Sequence, residues 1–245
     1  MKKILIPILS FLLPILTEAQ TFIAKGKIEF ERKINVHKQF EGEGEWVQEM
    51  KSQIPQFKIT YFDYFFDGDQ SCYKPGREVA DAKSPGFFEV GVAQDNIVYT
   101  NFASQQFTSQ KQVFEKQFLI QDSVRKINWK LTDDTRKIAG FNCRKATGII
   151  MDSVFVFAFY TDEILITGGP EGFSGLPGMI LGIAIPRINT TWFATKLELV
   201  PVAPKDIAPP TKGKKTNVPD LQKSLLSSLK DWGKYAERNV WQVML

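Results

Sequence analysis

The sequence predicts a mainly β protein laid out as a sequential antiparallel meander. Three observations carry that prediction. Apolar and polar residues alternate with period 2 in run after run from Phe22 to Val200. Aromatic residues make up 13% of the chain, 20 of them Phe, and such rings suit the pleated, half-buried surface of a sheet. Connections are short, and no helical periods alternate with the strands as a parallel α/β sheet requires.

The elements follow in chain order. Residues 1–19 read as an export signal. Lys2 and Lys3 precede an apolar run from Ile4 to Leu16, and Thr17-Glu18-Ala19 offers the small residues of a cleavage site. The run is too short to span a bilayer, and no later stretch qualifies, since Asp152, Asp162 and Glu163 interrupt the best one. The expectation is therefore a periplasmic or secreted protein with no membrane span. From residue 20 to 200 one antiparallel β domain is expected. Ile28, Phe30, Ile34 and Val36 oppose Lys27, Glu29, Lys33 and Asn35, giving a first half-buried strand. Trp46, Val47, Met50 and Ile54 sit at helical spacing before Pro55, so a short helix is expected over 44–54. Strands are then expected at 57–66, 70–73, 96–102, 113–120, 126–131, 144–150, 153–161, 164–167, 179–185 and 191–200. Asp133-Asp134 is expected to close a turn, and Asp67-Gly68-Asp69 a polar hairpin turn rather than a calcium loop. In 153–161, Val154, Val156 and Ala158 face one way and Phe155, Phe157 and Phe159 the other, which predicts a central strand covered on both faces.

Residues 201–219 hold five of the 13 prolines and read as an extended Pro/Lys-rich linker. After it, Leu221, Leu225, Leu226, Leu229, Trp232 and Tyr235 at helical spacing predict a C-terminal amphipathic helix over 220–245.

Charge and residue usage exclude several functions. The whole chain carries 31 basic and 27 acidic residues, a net of +4. Without 1–19 the net is +3, and it is concentrated after residue 200, so the body has no basic field for nucleic acid. One histidine and two cysteines exclude a His-rich metal site, a Cys₄ zinc site and an iron–sulfur cluster. No metal or cofactor is expected. Cys72 and Cys143 are candidates for one disulfide, worth about 4 kcal/mol on the chain-entropy model, or for two buried reduced thiols.

The most unusual segment is Gly168-Gly169-Pro170-Glu171-Gly172-Phe173-Ser174-Gly175-Leu176-Pro177-Gly178, where seven of eleven residues are Gly or Pro. Such a run specifies a shape, yet it carries neither the Gly-Lys-Ser/Thr of a phosphate cradle nor a nucleophile elbow. A structural turn or a recognition loop accounts for it, and Tyr160-Thr161-Asp162 ends the preceding strand beside it. The expected ligand or partner surface is Tyr160, Asp162, Gly169, Pro170, Phe173, Gly175, Leu176, Pro177 and Gly178.

Three stretches together resemble one family: Ile138–Ala146, Phe159-Tyr160-Thr161-Asp162-Glu163-Ile164, and Gly169-Pro170 with Gly175-Leu176-Pro177-Gly178-Met179-Ile180-Leu181. They are similar to the GLPGLI family, exported proteins of the Bacteroidetes lineage, with the signature here reading GLPGMI. The resemblance implies a curved antiparallel sheet, a half-barrel like that of lipoprotein carriers, and genes near outer-membrane TonB-dependent receptors. It implies no enzymatic activity. The expected function is that of a non-catalytic envelope protein holding an apolar ligand or an outer-membrane partner on its curved sheet. The alternatives are an envelope hydrolase using Tyr160, Asp162, Glu163 and Ser174, or a structural assembly module acting through its C-terminal helix.

Overall fold

The computed structural model describes residues 23–40, 44–79 and 92–245. The expected leader over 1–19 lies outside them. One sheet of twelve strands organises the rest, in the order β12-β6-β5-β4-β3-β2-β1-β11-β10-β9-β8-β7. The strands are β1 (Lys25–Asn35), β2 (Phe57–Asp67), β3 (Gln70–Pro75), β4 (Ile97–Asn101), β5 (Gln106–Val113) and β6 (Lys116–Ser123). They continue with β7 (Lys130–Ile138), β8 (Phe141–Ile150), β9 (Val154–Thr161), β10 (Met179–Ile185), β11 (Thr190–Glu198) and β12 (Lys214–Thr216). Two meanders, β1–β6 and β7–β11, are joined where β1 pairs antiparallel with β11. Every pairing is antiparallel except that of β12 with β6. The sheet curves without closing, as the meander expectation and the half-barrel require.

Alternation explains the main core. Phe62, Tyr64 and Phe66 of β2, Ile28 and Phe30 of β1, and Val156, Ala158 and Tyr160 of β9 are all buried on one face. A second cluster forms where helices α2 (Val218–Ser228) and α3 (Lys234–Met244) pack Leu221, Leu225, Leu229, Val240, Val243 and Met244 against Val113 and Ile120. Helix α1 (Glu45–Gln53) falls where helical spacing placed it, but buries no residue and leaves Trp46 exposed.

Several local expectations are corrected. Residues 113–120 are not one strand: β5 ends at Val113 and β6 begins at Lys116, with Phe114 at positive φ in the turn between. Asp133 and Asp134 lie inside β7, not in a turn, and the strand at 126–131 starts only at Lys130. Residues 164–167 form no strand beyond one isolated bridge of Ile164 to Ile23. The segment expected as a linker carries β12, paired with β6, and the C-terminal helix is two helices. Gly233, at φ +53°, breaks the helical path between them, a conformation that glycine adopts without penalty.

Among the described residues, no second layer covers the Phe side of β9. Phe155 is 56% exposed, and Phe157 and Phe159 are half-buried under cations instead. Lys145 stands over the Phe157 ring at 5.6 Å, and Arg136 spans Phe159 and Phe193 at 5.8 and 4.6 Å. Aliphatic stems and cation–π contacts thus do part of what a packed layer would do.

The cysteines are both free and buried. Cys72 lies on β3 and Cys143 on β8, with β2, β1, β11, β10 and β9 between them in the sheet order. Of the two expectations the structure has the reduced thiols. Burial pushes both thiols up to about 11, which keeps them protonated and poorly nucleophilic.

Candidate functional site

The Gly/Pro loop lies folded onto the core side of the sheet. Its two ends are tied by the Ile180 N–H donating to the Gly168 carbonyl at 2.8 Å, and the Trp129 indole N–H holds its middle through the Ser174 carbonyl at 2.9 Å. Gly178 has φ +136°, and a Cβ there would run into the Thr161 carbonyl oxygen, so the segment needs glycine where it passes the end of β9. Phe173 and Leu176 are buried with the core, and Gly175 and Pro177 remain exposed.

Between this loop and the strands β4–β6 lies a cavity of about 600 Å³. Its floor is alternate residues of one face: Val98 and Thr100 of β4, and Phe107, Ser109 and Lys111 of β5. One wall is the chain leaving β6, with Asp122, Arg125 and Ile127. The roof is the single 3-10 turn Pro170–Gly172 with Phe173, and the far side is Val218 and Pro219 of α2 together with Leu245. The size is that of a small-molecule site, and the lining combines apolar surface with polar and charged side chains.

Those polar groups are unusually buried. Glu171 is 5% exposed and stands at φ +54°, ψ +20°, a left-handed backbone that costs a non-glycine residue on the order of 1 kcal/mol or more. Asn96 donates to its Oε2 at 2.8 Å. Asn96 is positioned by its own segment, which Arg32 clamps to the sheet through the Gln94 carbonyl at 2.7 Å while stacking 4.7 Å over Phe62. Burial, and then the Glu171 carboxylate, push the Tyr73 hydroxyl well above its ordinary value, so that it stays protonated.

Lys111 is 4% exposed, and its Nζ donates to the Val243 carbonyl at 3.0 Å. Burial brings this ammonium down to about 8, helped by Arg125 and opposed by Glu171. Arg125, itself lowered by burial, donates Nη2–H to the carbonyl oxygens of Met244 and Leu245. Both cations therefore sit at the C-terminal end of α3, where free carbonyls and the helix dipole favour positive charge. Asp122 meets the opposite pole. It accepts from the Val218 N–H at 3.0 Å, at the start of α2, and from the Ser123 N–H at 2.7 Å. The Val218 bond above all holds this carboxyl below its usual range.

The residues singled out from sequence divide clearly. Phe173 lines the cavity. Pro170 belongs to the turn over it, and Gly169, Leu176 and Gly178 shape the loop from within. Tyr160 is buried in the main core, Asp162 and Glu163 are exposed, Ser174 is buried in the loop, and none of the four lines the cavity. Sequence reasoning missed Ser109, Lys111, Arg125 and Asn96. The one available signal was Lys111 standing in step with Phe107, Ser109 and Val113. Among the described residues, no group of three or more His, Cys, Asp or Glu is placed to hold a metal ion. Nor is any helix of the described residues long and apolar enough to cross a membrane.

Comparison with known proteins adds the following. Residues 77–220, more than half of the chain, match the family model described as the N-glycanase peptide, N-terminal domain. Among solved structures the chain is similar to PNGF-II in its P21 crystal form, with a TM-score of 0.52, 13% identity, and coverage of 82% of this chain and 32% of that one. The C2 form of PNGF-II gives a TM-score of 0.51 at 12% identity, over 89% of this chain and 32% of that one. The chain thus spans about a third of the length of the structures it matches, and at such identity the likeness is one of fold. No curated protein matches it.

Proposed function

We propose a function for this chain, which belongs to the N-glycanase peptide N-terminal domain family: it is a non-catalytic binding or accessory module of the cell envelope, holding a small ligand under its Gly/Pro loop. The observation that carries this reading is the cavity of about 600 Å³, roofed by a strained Glu171 turn and floored by alternate residues of β4 and β5. Glycanase activity is named for the relatives, and this chain corresponds to only 32% of the chains whose structures it resembles. The basic and apolar leader over 1–19 and the GLPGMI signature support export to the periplasm.

The expectation of an apolar ligand changes in one respect. A lining that includes Lys111, Arg125 and Ser109 suits a ligand with a polar end as well as an apolar body. A second reading, an envelope protein partner such as a TonB-dependent receptor, draws on the exposed Phe155 and the half-buried Phe157 and Phe159 beside it. The hydrolase alternative draws on Tyr160 and Ser174, which are buried, and on Asp162 and Glu163, which are exposed.

Native mass spectrometry of the protein recovered from its own host's envelope tests the reading. A retained small-molecule mass is expected, and it should disappear when Phe107→Trp fills the cavity. Protein that carries no ligand and no partner would overturn the binding role. Loss of a cellular phenotype in Asp162→Asn or Ser174→Ala would favour the hydrolase.

A further inference from the structure

Hydrogen-bond donors are left over inside the cavity. Among the described residues, Lys111 spends one of its three N–H groups on the Val243 carbonyl. Arg125 spends Nη2 on Met244 and Leu245. The Ser109 hydroxyl is buried, lines the cavity and has no hydrogen-bond partner. Two carboxylates of the lining already hold partners within the protein. Asp122 takes the Val218 and Ser123 N–H groups, and Glu171 takes Asn96. The charged side chains of the lining are Lys111, Arg125 and the exposed Lys126 on one hand and Asp122 and Glu171 on the other. Unspent donors of two buried cations and an unpartnered hydroxyl thus share the cavity with the apolar side chains of Val98, Phe107 and Phe173.

We propose that the cavity binds a monoanionic amphiphile, its carboxylate held by Lys111, Arg125 and Ser109 and its apolar tail laid along Val98, Phe107 and Phe173. This rests on the binding-module reading given above and names the ligand class of that same site. The carboxylate would accept charge-assisted bonds from Lys111 and Arg125, which are about twice as strong as neutral ones, and would give Ser109 its partner. Because the two cations also hold the last turn of α3, the ligand shares their donors with the carbonyls of Val243 and Met244.

The test is calorimetric titration of the full chain with dodecanoate, dodecanol and dodecyltrimethylammonium, probes that share a tail and differ in headgroup charge. Dodecanoate is expected to bind at least about tenfold more tightly than dodecanol, and the ammonium probe not at all. Lys111→Gln and Arg125→Gln should each weaken dodecanoate about tenfold and leave dodecanol unchanged. Lys111 is faced by Glu171 from the loop, by Arg125 from the chain after β6 and by the Val243 carbonyl from α3. In the wild type, which avoids any folding defect of the variants, dodecanoate affinity should fall roughly tenfold from about pH 7 to about pH 9 as the ammonium discharges. Equal binding of dodecanoate and dodecanol, with no pH dependence, overturns the anion assignment and leaves the binding role standing. If none of the three probes binds, the assignment is overturned whatever the envelope-derived mass spectrum shows.

Discussion

At the scale of single residues, two positions make the strongest demands. A Cβ at Gly178 would meet the Thr161 carbonyl, part of β9 itself, and φ +136° lies outside the range of L side chains. Gly178→Ala should therefore cost several kcal/mol, on the order of 3 or more, read as a shift in the denaturant midpoint. Lys111 is the other. Its ammonium titrates near 8 in the fold against 10.5 when solvated, so between those values the unfolded chain binds more protons and stability rises with pH. The contribution is complete above about 10.5 and is lost as pH falls through about 8, on the order of 3 kcal/mol in all. A difference curve of unfolding free energy, wild type minus Lys111→Gln, should climb across that window. A flat difference would mean that the ammonium is not desolvated. Neither residue's role could be read locally: Gly178 depends on a carbonyl at the far end of another strand, and Lys111 on a helix 132 positions away.

At the scale of elements, α3 is the one whose removal tells most. It buries Val240, Val243 and Met244 and supplies the carbonyls that hold Lys111 and Arg125. Ending the chain at residue 229 should lower stability by at least about 5 kcal/mol, since each lost apolar side chain is worth roughly 1.5–3 kcal/mol and two buried cations lose their acceptors. Thermal unfolding checks this, and a truncated chain as stable as the whole would show α3 to be an appendage. Strand β1, which alternates, and β9, which is apolar on both faces, were legible in the sequence. The pattern of β5 was not, because Ser109 and Lys111 occupy its inward positions and erase the apolar–polar contrast. The cavity floor was hidden for the same reason that makes it chemically useful. In β7 the pair Asp133-Asp134 resembled turn chemistry, yet an exposed edge strand tolerates charges that an inner one would not. The helix break at Gly233 was masked by leucines and aromatics that keep helical spacing across it.

At the scale of the whole molecule, one face of the sheet is filled by its own loop and helices, while the other leaves a row of phenylalanines half-shielded by Arg136 and Lys145. Because Phe155 is 56% exposed and outside both cores, Phe155→Ser should change stability by less than about 0.5 kcal/mol. A loss of several kcal/mol on chemical unfolding would mean that the ring is packed. The sequence's two-sided apolar strand was legible as a pattern, but not the identity of its cover, which the fold draws from cationic stems on neighbouring strands.

The open end of the sheet at β7 has a consequence for assembly. That strand carries Lys130, Asp133, Asp134, Arg136 and Lys137, is exposed along most of its length, and loses register with β8 between Leu131 and Thr135. A foreign ribbon aligning there would have to strip water from charges of both signs and follow a kinked ladder. Fibril-like growth from this margin is therefore disfavoured.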